Sequence, residues 1–285
     1  FRGCPFLAHV IIQGDTNIGI QAFAGCTKLA DVTFPGVTTI GVEAFAGCTN
    51  LADVTIPESV TTIPNRAFER CSSLASLITP DSVSTIGTGA FQQCTNLTNV
   101  SIPGVSTIGI QAFAGCTKLA DVTIPGVTTI FFEAFSGCTN LADVTIPESV
   151  TTIPNFAFEG CSSLVSLIIP DSVSTIGIGA FNHCTKLAYV TIPEGVTIDH
   201  EAFYGCPRPH GRIYAKSNEL RNNREVVLVA VAQNGHALQY ASEGLRADRE
   251  VVLTAVAQNG HALKRASNFH ADREVVLAAV AQDGN

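Results

Sequence analysis

The sequence predicts an α+β chain: a β-rich solenoid of about ten 22–23-residue coils, then a small all-α domain of helical repeats. Two internal periods and the composition carry that prediction. Phe followed three residues later by Cys recurs ten times, from Phe1 and Cys4 to Phe203 and Cys206, and the series uses every cysteine in the chain. A second motif, Arg-Glu-Val-Val-Leu, starts at Arg224, Arg249 and Arg273, a period of 24 or 25. Self-similarity of this kind is read first, because it sets the architecture before any local propensity does.

Composition bounds the function classes. The chain has 285 residues, 46% hydrophobic and 14% charged, with a formal charge of −8. That charge argues against a general nucleic-acid binder, and the apolar content argues against disorder. The longest apolar run of the helical tail, Val226 to Ala232, is seven residues, far short of the ~18–20 that span a bilayer, so no membrane insertion is expected within this fragment. No signal peptide is visible. The sequence contains no Met, so the initiator is missing and a piece of a longer protein is expected.

Each coil justifies its own shape. In Ala44 to Pro64 the unit reads A-F-A-G-C-T-N-L-A-D-V-T-I-P-E-S-V-T-T-I-P. At period two, Val54 and Ile56 face one side of a strand while Asp53 and Thr55 face the other. Pro57 has no N–H for a ladder and ends the strand. Val60 and Ile63 form a second, shorter inward edge, and Ala67-Phe68 turns the corner back. No coil buries these groups alone; stacking sets each Leu, Val, Ile, Phe and Cys over its counterpart in one long core. With strands ~4.8 Å apart, ten coils extend roughly 45 Å. A higher order lies above the coil: residues 21–110 and 111–200 are identical at 70 of 90 positions, so four coils were copied as a block.

The unit resembles the leucine-rich repeat of the bacterial surface-antigen (BspA-like) type, with the pattern I-x-x-x-A-F-x-x-C-x-x-L-x-x-V-x-I-P, over residues 1 to about 206. The resemblance implies a leucine-rich-repeat solenoid and a protein-binding or adhesion role, and it names no partner.

After Cys206 the pattern changes. Pro207, Pro209 and Gly211 break the period, so the solenoid is assigned to 1–211, a linker or cap to 212–222, and helical-pair repeats to 223–285. Asn223, Asp248 and Asp272 stand at N-cap positions. Gln-Asn-Gly at 233–235 and 258–260 predicts a helix stop with Gly in the left-handed conformation, followed by His-Ala-Leu and a short second helix. The third copy stops at Asn285 before its second helix, so this end also looks cut. The motif D-R-E-V-V-L-x-A-V-x-Q-N-G-x-A-L, best matched at 248–263, resembles tandem helical pairs described only as a domain of unknown function. Charge divides at the same place: residues 1–206 carry 16 acidic and 6 basic side chains, net −10, and residues 207–285 carry 8 and 10, net +2. The helical part could dock on its own acidic solenoid or on something acidic elsewhere.

The cysteines invite a disulfide or metal reading, and geometry opposes both. Neighbouring Cys would lie about 5 Å apart with Cβ vectors side by side rather than facing, and no C-x-x-C spacing for zinc exists. A ladder of free thiols inside the core is expected. His200, Cys206 and His210 near the end of the stack could ligate zinc, but a fourth ligand is not evident, and a polar end cap is the preferred reading. His236 and His261 recur by period and read as structural. No phosphate loop, nucleophile elbow or paired general acid and base stands out. Neither a metal nor a cofactor is expected. Two sequons, at Asn96 and Asn99, lie in a strand region and carry little weight.

The outward strand positions form the candidate binding face: Asp31, Thr33, Asp53, Thr55, Ile78, Asp121, Thr123, Asp143, Thr145, Ile168 and Tyr189. Asp31 with Asp53, and Asp121 with Asp143, would stand about 5 Å apart on neighbouring strands, too few oxygens for the six to eight that calcium takes. A solvated, slightly acidic face is expected, with Ile78, Ile168 and Tyr189 as apolar anchors. The sequence therefore reads as a non-enzymatic module for a protein partner; the alternative is the targeting arm of a larger receptor or enzyme lying outside the fragment. Buried thiols suit a reducing cytosol and the resembling family is often external, so cytoplasm and cell surface both stay open.

Overall fold

The computed structural model describes residues 1–187, 189–207, 212–214, 222–233 and 235–283. It divides into two compact units. The first comprises Phe1–Leu164, Ser172–Leu187 and Val196–Pro207; the second comprises Val165–Asp171, Ala188–Gly195 and Arg208–Asn285.

The first unit is a β-solenoid of stacked coils. The ten Phe–Cys corners bound about nine turns. Successive Phe rings stack with centroids 5.3 to 5.6 Å apart and planes within 12°. Backbone bonds hold the stack from coil to coil: Phe45 N donates to Ala67 O and Phe68 N to Ala90 O, each at 2.8 Å. Within a corner the chain closes on itself, as Cys48 N donates to Phe45 O at 3.1 Å. The residue before each Cys is left-handed. Gly occupies it in most coils, as at Gly47 (φ 73°), while Arg70, Gln93 and His183 take the same conformation at 56° to 58°, against the Cβ clash that disfavours it. The stack over-determines that turn.

Short parallel strands then run along the coils. On the longer face His9–Ile11, Asp31–Thr33 and Asp53–Val54 form one ladder, and Ser76–Ile78, Asn99–Ser101 and Asp121–Thr123 form another. On the second edge Thr62–Ile63, Thr85–Ile86, Thr107–Ile108 and Thr129–Ile130 pair in order. Inward side chains are the expected ones: Leu51, Leu74, Leu97, Val60, Val83, Ile63 and Ile86 are all buried. Phe34 takes a place that is Ile in most coils and stacks on Phe45 at 5.9 Å.

In the second unit Ser166–Ile168, Tyr189–Ile192 and Arg212–Tyr214 form a parallel ladder, so one strand follows the last Phe–Cys corner. The helices with described bounds are α1 (Arg224–Gln233), α2 (Glu243–Arg246), α3 (Arg249–Gln258) and α4 (Arg273–Asp283). The predicted caps form: Asp248 Oδ1 accepts from Glu250 N and Val251 N, and Asp272 Oδ1 from Glu274 N and Val275 N. Asn223 Oδ1 accepts from Glu225 N. Small apolar groups make the core, among them Val231, Leu238, Val251, Val252, Ala255 and Val275, and Ile168 packs against it.

The helix stops differ from expectation. Neither Gly235 nor Gly260 is left-handed; each opens a 3-10 turn, Gly235–Tyr240 or Gly260–Arg265. Asn259, extended at φ −153° and ψ 113°, closes α3 and accepts from His261 N at 2.9 Å. Gly235 is required for closeness, because a Cβ there would lie 2.3 Å from Ala255 O. His-Ala-Leu lies inside the 3-10 turns, and among the described residues the short second helix appears only after the first copy, as α2.

Between repeats runs an ionic ladder. Arg224 Nε donates to Asp248 Oδ2 at 2.9 Å and its Nη2 reaches Glu250; Arg249 repeats both contacts with Asp272 and Glu274. The Arg224 contact lowers the Asp248 carboxyl below its ordinary range, and for Asp272 the cap bond from Val275 N is the leading cause, with Arg249 adding to it.

Two predictions follow from this packing. Phe113 is fully buried between two rings, so Phe113→Ala should cost ~3–5 kcal/mol in denaturant unfolding. Because the folded pKa values of Asp248 and Asp272 are depressed, their contribution is complete above the ordinary aspartate pKa. It is lost as pH falls through the folded values. Far-UV circular dichroism during acid titration should show helix loss at a higher pH in Arg224→Gln/Arg249→Gln than in the parent.

Candidate interaction face

The strand ladders place the outward residues. Asp31, Thr33, Asp53, Thr55, Ile78, Asp121 and Thr123 are exposed, while Asp143, Thr145 and Ile168 are half-buried. The side chain of Tyr189 lies outside the described residues. Asp31 stands opposite Asp53 in register, and His9 Nδ1 meets Asp31 Oδ2 at 2.8 Å on the other side. The second expected aspartate pair is not built that way: Asp121 stands opposite Asn99, and residues 141–147 contain no strand. Asp143 and Thr145 are engaged in contacts of their own. Ile78 is 70% exposed, whereas Ile168, its counterpart in the copied block, packs against the helical core. The sequence could not separate these two, because their own strands read alike.

A groove of about 400 Å³ opens on this face. Asp53, Val54, Thr55, Ile56 and Glu58 line one side, and Ser76, Ile78, Thr79 and Pro80 the other. It falls where the ladder ending at Asp53–Val54 and the ladder starting at Ser76–Ile78 do not pair.

The thiols point elsewhere. None of the ten cysteines is in a disulfide, and Cys26 to Cys184 are buried. Each Sγ from Cys26 onward donates to the Phe carbonyl one coil back, as Cys48 does to Phe23 O at 3.1 Å and Cys94 to Phe68 O at 3.1 Å. Burial pushes the Cys48, Cys116 and Cys161 thiols up to about 12. The thiolate is the reactive form, so the ladder is chemically quiet. Among the described residues no three His, Cys, Asp or Glu side chains group as metal ligands; His210 lies outside those residues, as does the side chain of His236. His261 N is held by the Asn259 cap. The sequon residue Asn96 accepts from Lys118 Nζ at 2.7 Å.

One feature escaped the sequence reading. Phe131 and Phe132 are 45% and 37% exposed, and Phe132 meets Phe156 edge-on at 5.7 Å. The first block has Gly41, Val42 and Arg66 at these positions. Comparing the two blocks residue by residue was the signal that could have found this patch.

The buried ladder predicts its own test. With an aromatic disulfide reagent at neutral pH, only Cys4 and Cys206, the two half-buried thiols, should react before unfolding. The other eight should react at the rate of global opening.

Residues 1–120 and 106–223 match the BspA-type leucine-rich repeat region, and residues 213–246 and 248–285 match a domain of unknown function, DUF4116. No curated protein matches in sequence. Among solved structures, a leucine-rich repeat protein from Bacteroides ovatus is similar at 29% identity over 70% of this chain and 61% of its own, TM-score 0.58. The chain thus spans less than two thirds of that protein's length. A leucine-rich repeat protein from T. pallidum is similar at 28% identity over 67% of this chain and 80% of its own, TM-score 0.48. A leucine-rich cell surface protein from Faecalibacterium prausnitzii gives 25% identity, 73% and 80% coverage, and TM-score 0.35. Among the described residues no helix is long and apolar enough to cross a membrane. Leucine-rich repeats of this kind point to protein–protein interaction or adhesion. The in-register Phe and Cys columns and the family match agree, and the chain belongs to the BspA-type leucine-rich repeat family, with DUF4116 repeats at its C-terminal end.

Proposed function

We propose that this chain is a non-catalytic protein-binding module whose solenoid, residues 1–211, presents the outward strand face, with the helical pairs of 223–285 as a second module. The observation that carries the reading is the face itself. Asp31, Thr33, Asp53, Ile78, Asp121 and Thr123 are exposed on paired strands, on a frame whose inward side is packed. A rigid, repeated surface loses little conformational entropy on binding, so shallow contacts can add up. Carboxylates on that face set partner choice and association rate more than raw affinity. The complementary partner is a protein with a basic, partly apolar surface.

The test is a triple variant, Asp31→Lys/Asp121→Lys/Asp143→Lys, beside the parent chain, each immobilised and challenged with the same extract. Circular dichroism should show both folded alike, and the species retained by the parent should be lost from the variant. If the folded variant retains the same species as the parent, the binding face lies elsewhere on the molecule.

A further inference from the structure

The groove between Asp53–Glu58 and Ser76–Pro80 coincides with three departures from the repeat and with charge of one sign, and together they describe a site. On the longer face the strand ladder is interrupted, within the first five coils, only there: Asp53–Val54 pairs back to Asp31–Thr33, and Ser76–Ile78 pairs forward to Asn99–Ser101. The coils are still joined on both sides of the gap, by Ala75 N to Ala52 O at 3.1 Å and Ser84 N to Thr61 O at 2.9 Å. The interruption is local, and it follows a change in corner length. Pro35-Gly36-Val37 becomes Pro57-Glu58-Ser59-Val60, one residue longer.

The second departure is Val54. Its counterparts Val32, Leu77, Val100, Val122 and Val144 are buried, and Val54 is only half-buried. The third is Thr79. Its column is Ile56, Ile102, Ile124, Ile146 and Ile169 in other coils, and the copied block restores Ile at 169. Thr79 is 2% exposed, lines the groove, and its Oγ1 has no hydrogen-bond partner among the described residues. A buried hydroxyl left unpaired costs stability that Ile would not, so the residue is placed against the fold's own preference. Such a local inconsistency marks a functional position. The charge of the site has one sign: Asp53 and Glu58 line the groove, no cation does, and Ile78 stands exposed beside them.

We infer that this groove binds an extended segment of a partner polypeptide carrying a basic residue flanked by apolar ones. The carboxylates of Asp53 and Glu58 receive the cationic head, and Ile78 and Val54 receive its aliphatic stem. The open strand edges and the Thr79 hydroxyl take backbone polar groups, as in recognition by strand addition. The inference rests on the strand face as the binding surface and names what this part of it takes.

The probe is a capped pentapeptide, acetyl-Val-Lys-Val-Lys-Val-amide, with its Glu-for-Lys twin as control, titrated into the full chain by calorimetry. One-to-one binding that weakens with salt, and none by the twin, is expected. Asp53→Asn/Glu58→Gln should weaken it at least tenfold. Thr79→Ile should weaken it comparably while raising the melting temperature, because the isoleucine fills the column and removes the orphan hydroxyl. Equal binding of the twin, unchanged affinity in either variant, or a Thr79→Ile chain that melts lower would overturn the inference. Thr79 is buried, so Thr79→Ile leaves the charge of the face unaltered. Parent-like capture by the Thr79→Ile chain with the peptide result negative removes the groove and keeps the face, and loss of the face alone appears in the aspartate triple variant.

Discussion

Everything in the solenoid depends on like side chains lying over like. A Phe ring in one coil has no useful surface until the next coil supplies another ring 5.3 to 5.6 Å away, and the same holds for the Leu and Ile columns. Offset-stacked rings gain a modest amount beyond the area they bury. Their larger effect is on register, since a coil that slips by one residue misplaces every column at once. The thiol is part of the same constraint. Cys is small enough for the inside of the corner, and its S–H finds the carbonyl of the preceding Phe. A larger apolar residue would crowd the turn, and a hydroxyl would bring a stronger polar group into a dry place. The column therefore combines burial with a weak donor satisfied in every coil from Cys26 onward.

That constraint explains why the turn tolerates strain. Arg70, Gln93 and His183 adopt a left-handed conformation that glycine accepts without cost. Cooperative stacking over-determines their backbone, and the side chains project outward where the coil can vary. The solenoid is in this sense a fixed interior carrying a variable exterior, and the interior's uniformity says little about what the exterior binds.

The fold was legible because its signal is redundant: ten corners report one geometry, and an error in any one is corrected by the others. The N-caps Asp248 and Asp272 were legible for a similar reason, being local chemistry with one geometric outcome. Gly235 was misread because the same residue serves two needs. Positive φ and close approach both select glycine, and only the carbonyl of Ala255 across the repeat decides between them. The face was legible as alternation along single strands, which is why Asp31 and Asp53 stand opposite as expected. It was not legible where strand pairing fails. The Asp121–Asp143 pair presumes a strand at 141–147 that is not formed, although residues 141–147 repeat the sequence of 51–57, where Asp53–Val54 is a strand. Ile78 and Ile168 have identical local sequence apart from Ala75 or Val165 before and Thr79 or Ile169 after, so their different surroundings arise from elements remote in the chain.

The duplication turns this limit into information. Two blocks alike at 70 of 90 positions share a frame, so their differences are not needed to hold it. Some differences are neutral at the surface. Others oppose a simple physical preference: Thr79 puts a hydroxyl where Ile169 packs, and Phe131 and Phe132 expose rings where the first block has Gly41 and the smaller Val42. A change that leaves a buried hydroxyl orphaned or an aromatic ring in water lowers the stability of the isolated chain and gains value only through something outside it. These two sites lie on different parts of the coil, strand floor and corner rim. The two blocks thus share the Phe, Cys and Leu columns, which the stack enforces, and differ at Thr79/Ile169 and at Phe131 and Phe132, where an external contact offsets a poorer fit.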